Sequence, residues 1–117
     1  MKKILAANWK MNIGMKEGLK LALQVEKSLK NSKKAGFILF PSVHTIPYIN
    51  NVVKKKNIFG AQDCSQFENG SYTGDISAKM IKELGCNYVM IGHSERRVNY
   101  NEDNRIIKKK IYSAAKE

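Results

Sequence analysis

Four short apolar runs are spaced along the chain, and none of them alternates cleanly between apolar and polar residues. Continuous apolar runs of this length are typical of strands that are buried on both faces, as in a parallel sheet. The runs therefore predict four buried strands, over residues 4–7, 37–40, 58–61 and 88–91.

Between these runs, apolar residues recur at the three- and four-residue spacing of helices. The patterns predict four helices, over residues 15–29, 48–56 and 77–84 and from about residue 102 onward. Thr45 followed by Pro47 marks the start of the second helix. Ser77 is a candidate N-cap of the third helix, and Gly85 is its stop. The alternating order of strands and helices predicts one α/β domain with a parallel sheet and right-handed crossovers.

One connection is long, polar and rich in turn residues. It covers residues 62–75 and reads QDCSQFENGSYTGD. Loops beyond about 12 residues in compact domains tend to be functional or to bind a partner, and the alternative is a flexible insertion. Tyr72 at the loop tip favours the first interpretation, because an exposed aromatic ring usually packs on something.

Polar side chains follow the first and the last predicted strand. Asn8 and Lys10 come after the first strand, and His93 and Glu95 come after the fourth. In parallel α/β folds, ligands bind at the carboxyl ends of the strands. We therefore expect both groups of side chains to face one site.

Each of these residues also has an ordinary structural interpretation. Lysine after a strand is usually a surface residue, asparagine and histidine are common in turns, and Glu95 beside Arg96 and Arg97 could be a solvated charge cluster. Their joint position at one end of one sheet favours the functional interpretation. His44, which precedes a predicted helix, is given only a structural role.

The formal net charge of +11 raises the alternative of a basic nucleic-acid-binding module. The excess is nearly all lysine, and no arginines interleave with aromatic residues as nucleic-acid recognition favours. The lysine runs at 33–34, 54–56 and 108–110 are predicted on helix ends and solvated outer faces. An anionic small-molecule substrate is also consistent with a basic chain, and no nucleic-acid partner is expected.

No apolar run approaches the roughly 20 residues of a membrane span, and the N-terminus shows no signal or transit pattern. We therefore expect a cytoplasmic protein without a membrane partner. Cys64 and Cys86 form no CxxC pair and have no histidine at metal spacing. They are predicted to be half-buried thiols in a reducing compartment, with no metal bound.

Three stretches together resemble the signature sequences of the triosephosphate isomerase family. They are AANWKMN, GHSERR and AQDCSQFENGSYTGDIS, in the family's order and over nearly the whole chain. The resemblance implies a (β/α)8 TIM barrel, an α/β fold of which this chain covers about the first four βα units. Residues 1–117 are thus expected to form the N-terminal half of one barrel domain.

The resemblance also implies an activity. The family interconverts dihydroxyacetone phosphate and D-glyceraldehyde 3-phosphate through an enediolate, without a cofactor or metal. Asn8 and Lys10 would contact the substrate, and Lys10 would supply positive charge. His93 would be the electrophile, and this family is itself the standard example of a neutral histidine at a helix N-terminus. Glu95 would pair with Lys10, which makes His93, Lys10 and Glu95 the candidate catalytic residues.

By the same resemblance, the protein is a homodimer in which the loop 62–75 inserts into the neighbouring subunit. Thr73 would reach toward the partner's Asn8 and Lys10, with Tyr72 beside it. Asp75 stands where the family commonly has Glu and is expected to pair across the interface with Arg96. Asn101 stands where the family often has Gly, and asparagine can adopt the left-handed turn conformation that this position requires.

Several parts of the family's active site have no counterpart in these 117 residues. The general-base glutamate after the sixth strand, the lid and the glycine-rich phosphate-binding turns are all missing from the sequence. We expect the 117-residue chain alone to lack isomerase activity. We also expect it to leave strand edges at Ile4 and Tyr88 unpaired, to aggregate or to pair with another half. The alternative is a half-barrel that assembles but does not catalyse.

Overall fold

The structure is a computed structural model that describes residues 3–29, 35–54 and 58–117. Within those ranges, strands and helices alternate as the sequence predicts. The elements in chain order are β1 (Lys3–Asn8), α1 (Met15–Leu29), β2 (Ala35–Phe40), α2 (Ile46–Asn50), β3 (Gly60–Ala61), α3 (Ala78–Glu83), β4 (Tyr88–Val89), α4 (Ser94–Asn99) and α5 (Asn104–Ala115). A short 3-10 turn, Val43–Thr45, leads directly into α2.

The strands lie in the order β1-β2-β3-β4, and all their pairings are parallel. β1 pairs with β2 from Lys3↔Ala35 to Asn8↔Phe40, and β3 pairs with β4. An isolated parallel bridge between Leu39 and Phe59 connects the two pairs. The prediction of a parallel sheet is confirmed, although β3 and β4 have only two residues each in place of the four predicted.

The main core lies between this sheet and the helices α1, α2 and α3. Leu39, Ile46 and Phe59 are fully buried in it, and Trp9 joins them from the end of β1. Gly18 lets α1 approach closely, since a Cβ at this position would lie 3.1 Å from the Trp9 ring. The packing of α1 on Trp9 thereby fixes the chain next to the first polar strand end.

β1 is not buried on both faces, and that prediction is wrong. Ile4 is 63% exposed and Leu5 is 57% exposed. Because consecutive strand residues point to opposite faces, the described elements leave both faces of β1 uncovered at these positions. Tyr88 on β4 is also exposed. In the described part of the chain, β1 pairs only with β2 and β4 only with β3, so the strand edges at Ile4 and Tyr88 are unpaired as expected.

The second helix differs from its prediction at its end. It was expected over residues 48–56, but α2 is Ile46–Asn50. The chain then turns, and Val53 points into the core. Residues 55–57 lie outside the described ranges. Pro47 does stand in the first turn, whereas the Thr45 hydroxyl donates to the carbonyl of Ser42 at 2.7 Å and does not cap the helix.

The remaining helix boundaries follow local capping. Ser77 Oγ accepts from the Met80 amide at 3.3 Å, as predicted for an N-cap, and Gly85 ends the segment with a φ of 86°. α5 begins at Asn104, two residues later than predicted, because the Asp103 carboxylate caps it. Asn101 has the expected left-handed conformation, with a φ of 54°.

Two predictions about single side chains also need correction. Cys64 and Cys86 are free but fully buried rather than half-buried, and burial raises the pKa of each thiol to about 11. Lys54, Lys108 and Lys109 are exposed as expected. Lys110, however, is buried. The lysines at 33–34 and 55–56 lie outside the described residues. None of the helices that the structure describes is long and apolar enough to cross a membrane.

Candidate functional site

The polar side chains that follow β1 and β4 meet, as the parallel sheet requires. Lys10 Nζ donates to Glu95 Oε1 at 2.5 Å, across 85 positions of sequence. Asn8 Nδ2 lies 3.6 Å from the sulfur of Met90, which also joins the two strand ends. The predicted pairing of Lys10 with Glu95 is confirmed.

The backbone of Lys10 is held in an unusual conformation. Its φ is 56°, in the left-handed region that non-glycine residues rarely occupy. Its amide donates to Asn8 Oδ1 at 2.9 Å. Its carbonyl accepts from Ser42 Oγ at 3.0 Å and from Gln62 Nε2 at 2.9 Å. Groups at or just beyond the ends of β1, β2 and β3 thus converge on this one residue.

His93 caps the short helix α4 and lies beside the ion pair. It follows Gly92, whose φ is 73°, and its Nδ1 accepts from the Glu95 amide at 3.1 Å. A ring nitrogen that accepts a hydrogen bond carries no proton, so this contact fits the neutral imidazole with its proton on Nε2. The His93 Nδ1 is also 3.8 Å from Glu95 Oε2.

Glu95 lies in contact with Lys10 and next to His93. The hydrogen bond from Lys10 holds the pKa of the Glu95 carboxyl below its ordinary value, so it stays ionised at neutral pH. Both Lys10 and Glu95 are about half exposed. Their charges are therefore accessible from solvent, as a site for an anionic ligand requires.

A partly buried charge cluster behind α4 was not foreseen from the sequence. We call Asp63, Arg96, Glu102 and Lys110 the charge cluster. Lys110 Nζ donates to Asp63 Oδ1 and Oδ2 at 2.7 Å each and to Glu102 Oε1 at 2.5 Å. Arg96 Nε lies 2.9 Å from Asp63 Oδ2 and 2.8 Å from Glu102 Oε1.

The Lys110 side chain is 5% exposed and that of Glu102 is 6% exposed, so the prediction of a solvated lysine run is wrong at Lys110. Lys110 lies three positions after Ile107 and three before Ser113, which are the other buried residues of α5. That spacing was the available signal for a buried lysine.

The two carboxylates of the charge cluster respond differently to the same cations. Burial raises the pKa of Asp63, and the hydrogen bond from Lys110 only partly offsets this. Burial also raises the pKa of Glu102, but hydrogen bonds from Lys110 and Arg96 outweigh it and leave the pKa below its ordinary value. Glu102 is therefore the firmly ionised partner of the two cations.

The far part of the loop 62–75 has contacts within the loop, in addition to the contacts of Gln62, Asp63 and Glu68 with the rest of the chain. Tyr72 stacks on Phe67 with 3.7 Å between ring centroids and 2° between ring planes, so its packing partner is in its own loop. Asp75 Oδ2 accepts from Ser65 Oγ at 2.7 Å. Thr73 is exposed. The contacts of Thr73, Asp75 and Arg96 with a second subunit stay predictions.

Known proteins are similar to this chain over nearly its whole length. The family model for triosephosphate isomerase matches residues 3–117. Triosephosphate isomerase of Clostridium botulinum (strain Loch Maree / Type A3) is 42% identical over 112 residues. That of Cytophaga hutchinsonii is 44% identical over 115 residues. The alignments include 95% and 94% of this chain but 45% of each relative, so the chain spans about half the length of the relatives it matches.

A solved structure matches to the same extent. The crystal structure of triosephosphate isomerase from Bartonella henselae superposes with a TM-score of 0.85 at 33% sequence identity. The superposition covers 99% of this chain and 48% of that one. The likeness therefore extends over both strand ends, the long loop and the charge cluster.

Proposed function

Since the chain belongs to the triosephosphate isomerase family and has the α/β fold of about the first four βα units of its (β/α)8 barrel, we propose that it forms one wall of an isomerase active site. Residues 1–117 would be the N-terminal half of a single barrel domain. The reaction is the interconversion of dihydroxyacetone phosphate and D-glyceraldehyde 3-phosphate. The observation that carries the proposal is the contact of Lys10 with Glu95 at 2.5 Å, with His93 beside it.

Lys10 would bind the phosphate and stabilise the enediolate. Its ammonium is half exposed and held at one end by Glu95, and its backbone is fixed by the bonds to Asn8, Ser42 and Gln62. A charge fixed before the substrate arrives needs little reorganisation when negative charge develops on the substrate oxygen. Asn8 would contribute twice, by orienting Lys10 and by contacting the substrate.

His93 would be the electrophile that moves protons between the two substrate oxygens. With Nδ1 accepting from the Glu95 amide, the proton on Nε2 is available to donate to a carbonyl oxygen. Glu95 would keep Lys10 in place and at the correct distance from His93. No cofactor or metal enters this scheme.

Abstraction of the carbon-bound proton needs a base that these 117 residues do not supply. The acidic residues of the loop 62–75 are engaged elsewhere. Asp63 belongs to the charge cluster, Glu68 pairs with Lys116, and Asp75 accepts from Ser65. We therefore expect the chain by itself to be inactive, with the base, lid and phosphate-binding turns supplied by the second half of the barrel.

The partner expected for the assembled enzyme is a second copy. The loop 62–75 would enter the neighbouring subunit, with Thr73 and Tyr72 at its tip. Asp75 would lie near Arg96 of the partner subunit. The stacking of Tyr72 on Phe67 supports this, because it gives the loop tip a defined shape before docking. We expect the enzyme to act in the cytoplasm on a small phosphorylated triose.

The test is a chimera in which residues 1–117 continue into the part of the Clostridium botulinum relative beyond the matched region. We call this chimera the completed barrel. It should interconvert the two triose phosphates, and His93→Gln should reduce kcat at least about 100-fold. The 117-residue chain alone should show no turnover above its own His93→Gln variant. A folded but inactive completed barrel, or an active 117-residue chain, would contradict the proposal.

A second candidate function is a half-barrel that assembles without catalysing. The exposure of Ile4 and Leu5 favours it, since they leave apolar side chains uncovered on both faces of β1. Saturable binding of a phosphorylated enediolate analogue by the completed barrel would support the enzyme over this alternative. Salt-dependent binding to duplex DNA would instead support the nucleic-acid-binding module.

A further inference from the structure

Helix α4 carries Glu95, but no buried side chain of this helix packs it against the rest of the fold. It has six residues, Ser94–Asn99, and none of them is buried. A helix this short is not stable by its hydrogen bonds alone and depends on tertiary contacts. Its tertiary contacts are polar: Arg97 donates to the Gly92 carbonyl and to Asn104, and Arg96 reaches the charge cluster.

The charge cluster provides the buried attachment of this helix. Arg96 lies between the carboxylates of Asp63 and Glu102, and Lys110 contacts the same two carboxylates from the other side. Two cations and two carboxylates therefore alternate within one network, in which Lys110 and Glu102 are buried and Arg96 and Asp63 are partly exposed. Ionic contacts away from water are screened little by salt and have defined geometry.

The charge cluster joins separate parts of the fold to the site. Asp63 directly follows Gln62 at the end of β3, and Lys110 is in the middle of α5. Arg96 is next to Glu95 in the chain, and Glu95 holds Lys10. A continuous path of contacts therefore leads from α5 to the Lys10 ammonium.

We propose that Asp63 and Lys110 are positioning residues that hold Arg96, and through it helix α4, so that Glu95 meets Lys10. The inference rests on the proposed function of Lys10 and Glu95. A displacement of about 1 Å in a catalytic constellation can reduce the rate about 100-fold, so a loose α4 would have a measurable effect.

The first test measures the geometry of the site without turnover. Lys110→Met is compared in the folded completed barrel with Lys109→Met, which removes an exposed lysine from the same helix. The acid titration of the Glu95 carboxyl is followed by carbon-13 NMR. Lys110→Met should move its midpoint up toward the ordinary value of a glutamate, and Lys109→Met should leave it unchanged. An unmoved Glu95 midpoint in folded Lys110→Met would overturn the inference.

Asp63→Asn is the second variant for the Glu95 titration, and it is used if Lys110→Met does not fold. It keeps an oxygen acceptor of the same shape near Lys110 and Arg96 but removes the charge. The Glu95 midpoint should move in the same direction and by less. An unchanged midpoint in this folded variant would again overturn the inference.

The second test measures coupling in the completed barrel. Lys110→Met should reduce kcat/KM about tenfold when Glu95 is present, and less than about twofold when Glu95 is already Gln. Equal effects in both backgrounds would show that Lys110 does not act through Glu95. A wild-type completed barrel without turnover would contradict the proposed function, whereas the Glu95 titration would still decide the positioning inference.

Discussion

At the scale of single residues, the site depends on how Lys10 is held. A non-glycine residue in the left-handed region carries strain of about 1–3 kcal/mol and persists only where its surroundings determine it. Gln62 is one such determinant. Its Nε2 donates to the carbonyl of Lys10 and to the carbonyl of Phe40, both at 2.9 Å. One amide thereby ties the end of β3 to the ends of β1 and β2.

We predict that Gln62→Ala in the completed barrel lowers the free energy of unfolding by about 1 kcal/mol. The loss is small because the Lys10 carbonyl keeps Ser42 Oγ as a donor and the Phe40 carbonyl keeps the Trp9 amide. It should also lower kcat/KM, because the Lys10 backbone loses one of its restraints. Denaturant titration and steady-state kinetics measure the two effects. Gln24→Ala on the exposed face of α1 is the matched control, with a change within about 0.5 kcal/mol. Unchanged kcat/KM in folded Gln62→Ala would show that this restraint is dispensable.

At the scale of elements, the charged side chain of Asp103 caps the N-terminus of α5. The Asp103 carboxylate accepts from the amides of Ile106 and Arg105, at 2.9 Å each, and these bonds help hold its pKa below its ordinary value of 3.8. A carboxyl whose pKa is lowered on folding stabilises the protein above that ordinary value. The contribution is lost as the pH falls through the pKa of the folded state.

We predict that Asp103→Asn makes the stability of the completed barrel less dependent on pH between about pH 6 and about pH 2. Asparagine caps helices about as well as aspartate but does not titrate, so stability at neutral pH should change little. Asp103→Ala has no capping side chain, so it should lack this stabilisation at both the high and the low end of the pH range. The pH dependence of stability is measured for each variant by thermal unfolding followed by circular dichroism. An Asn variant with the wild-type pH dependence would contradict the explanation.

The elements that the sequence predicted well are those decided by local chemistry. Ser77 as an N-cap, Gly85 as a stop and Asn101 as a left-handed residue depend on a few neighbouring backbone groups. The burial of Lys110 depends instead on Asp63, which is 47 residues away in the chain. No local pattern contains that partner, and only the three-residue spacing along α5 pointed to the buried position.

At the scale of the whole molecule, burial depends on what covers each face. An apolar run predicts that a strand can be buried, not that a partner is present to bury it. Ile4 and Leu5 point to opposite faces of β1, and no described element covers either side chain, so both remain exposed. Fully burying one such side chain is worth about 1.5–3 kcal/mol, which favours association through β1. The net charge of +11 opposes association between identical copies.

We predict that the 117-residue chain self-associates more as salt is added, because the Debye length falls from about 10 Å at 0.1 M to about 3 Å at 1 M. Leu5→Lys should reduce this association, since it replaces one of the exposed apolar side chains of β1 with a charge. Leu23→Lys adds the same charge to an exposed position of α1 and is the matched control. Light scattering coupled to size exclusion measures the mass.

The same substitution separates association of the chain from completion of the barrel. In the completed barrel the second half should cover β1, so Leu5→Lys should destabilise it while Leu23→Lys should not. A 117-residue chain that is monomeric at every salt concentration would contradict the role of β1 in association. A completed barrel that tolerates Leu5→Lys as well as Leu23→Lys would show that the second half does not pack on β1.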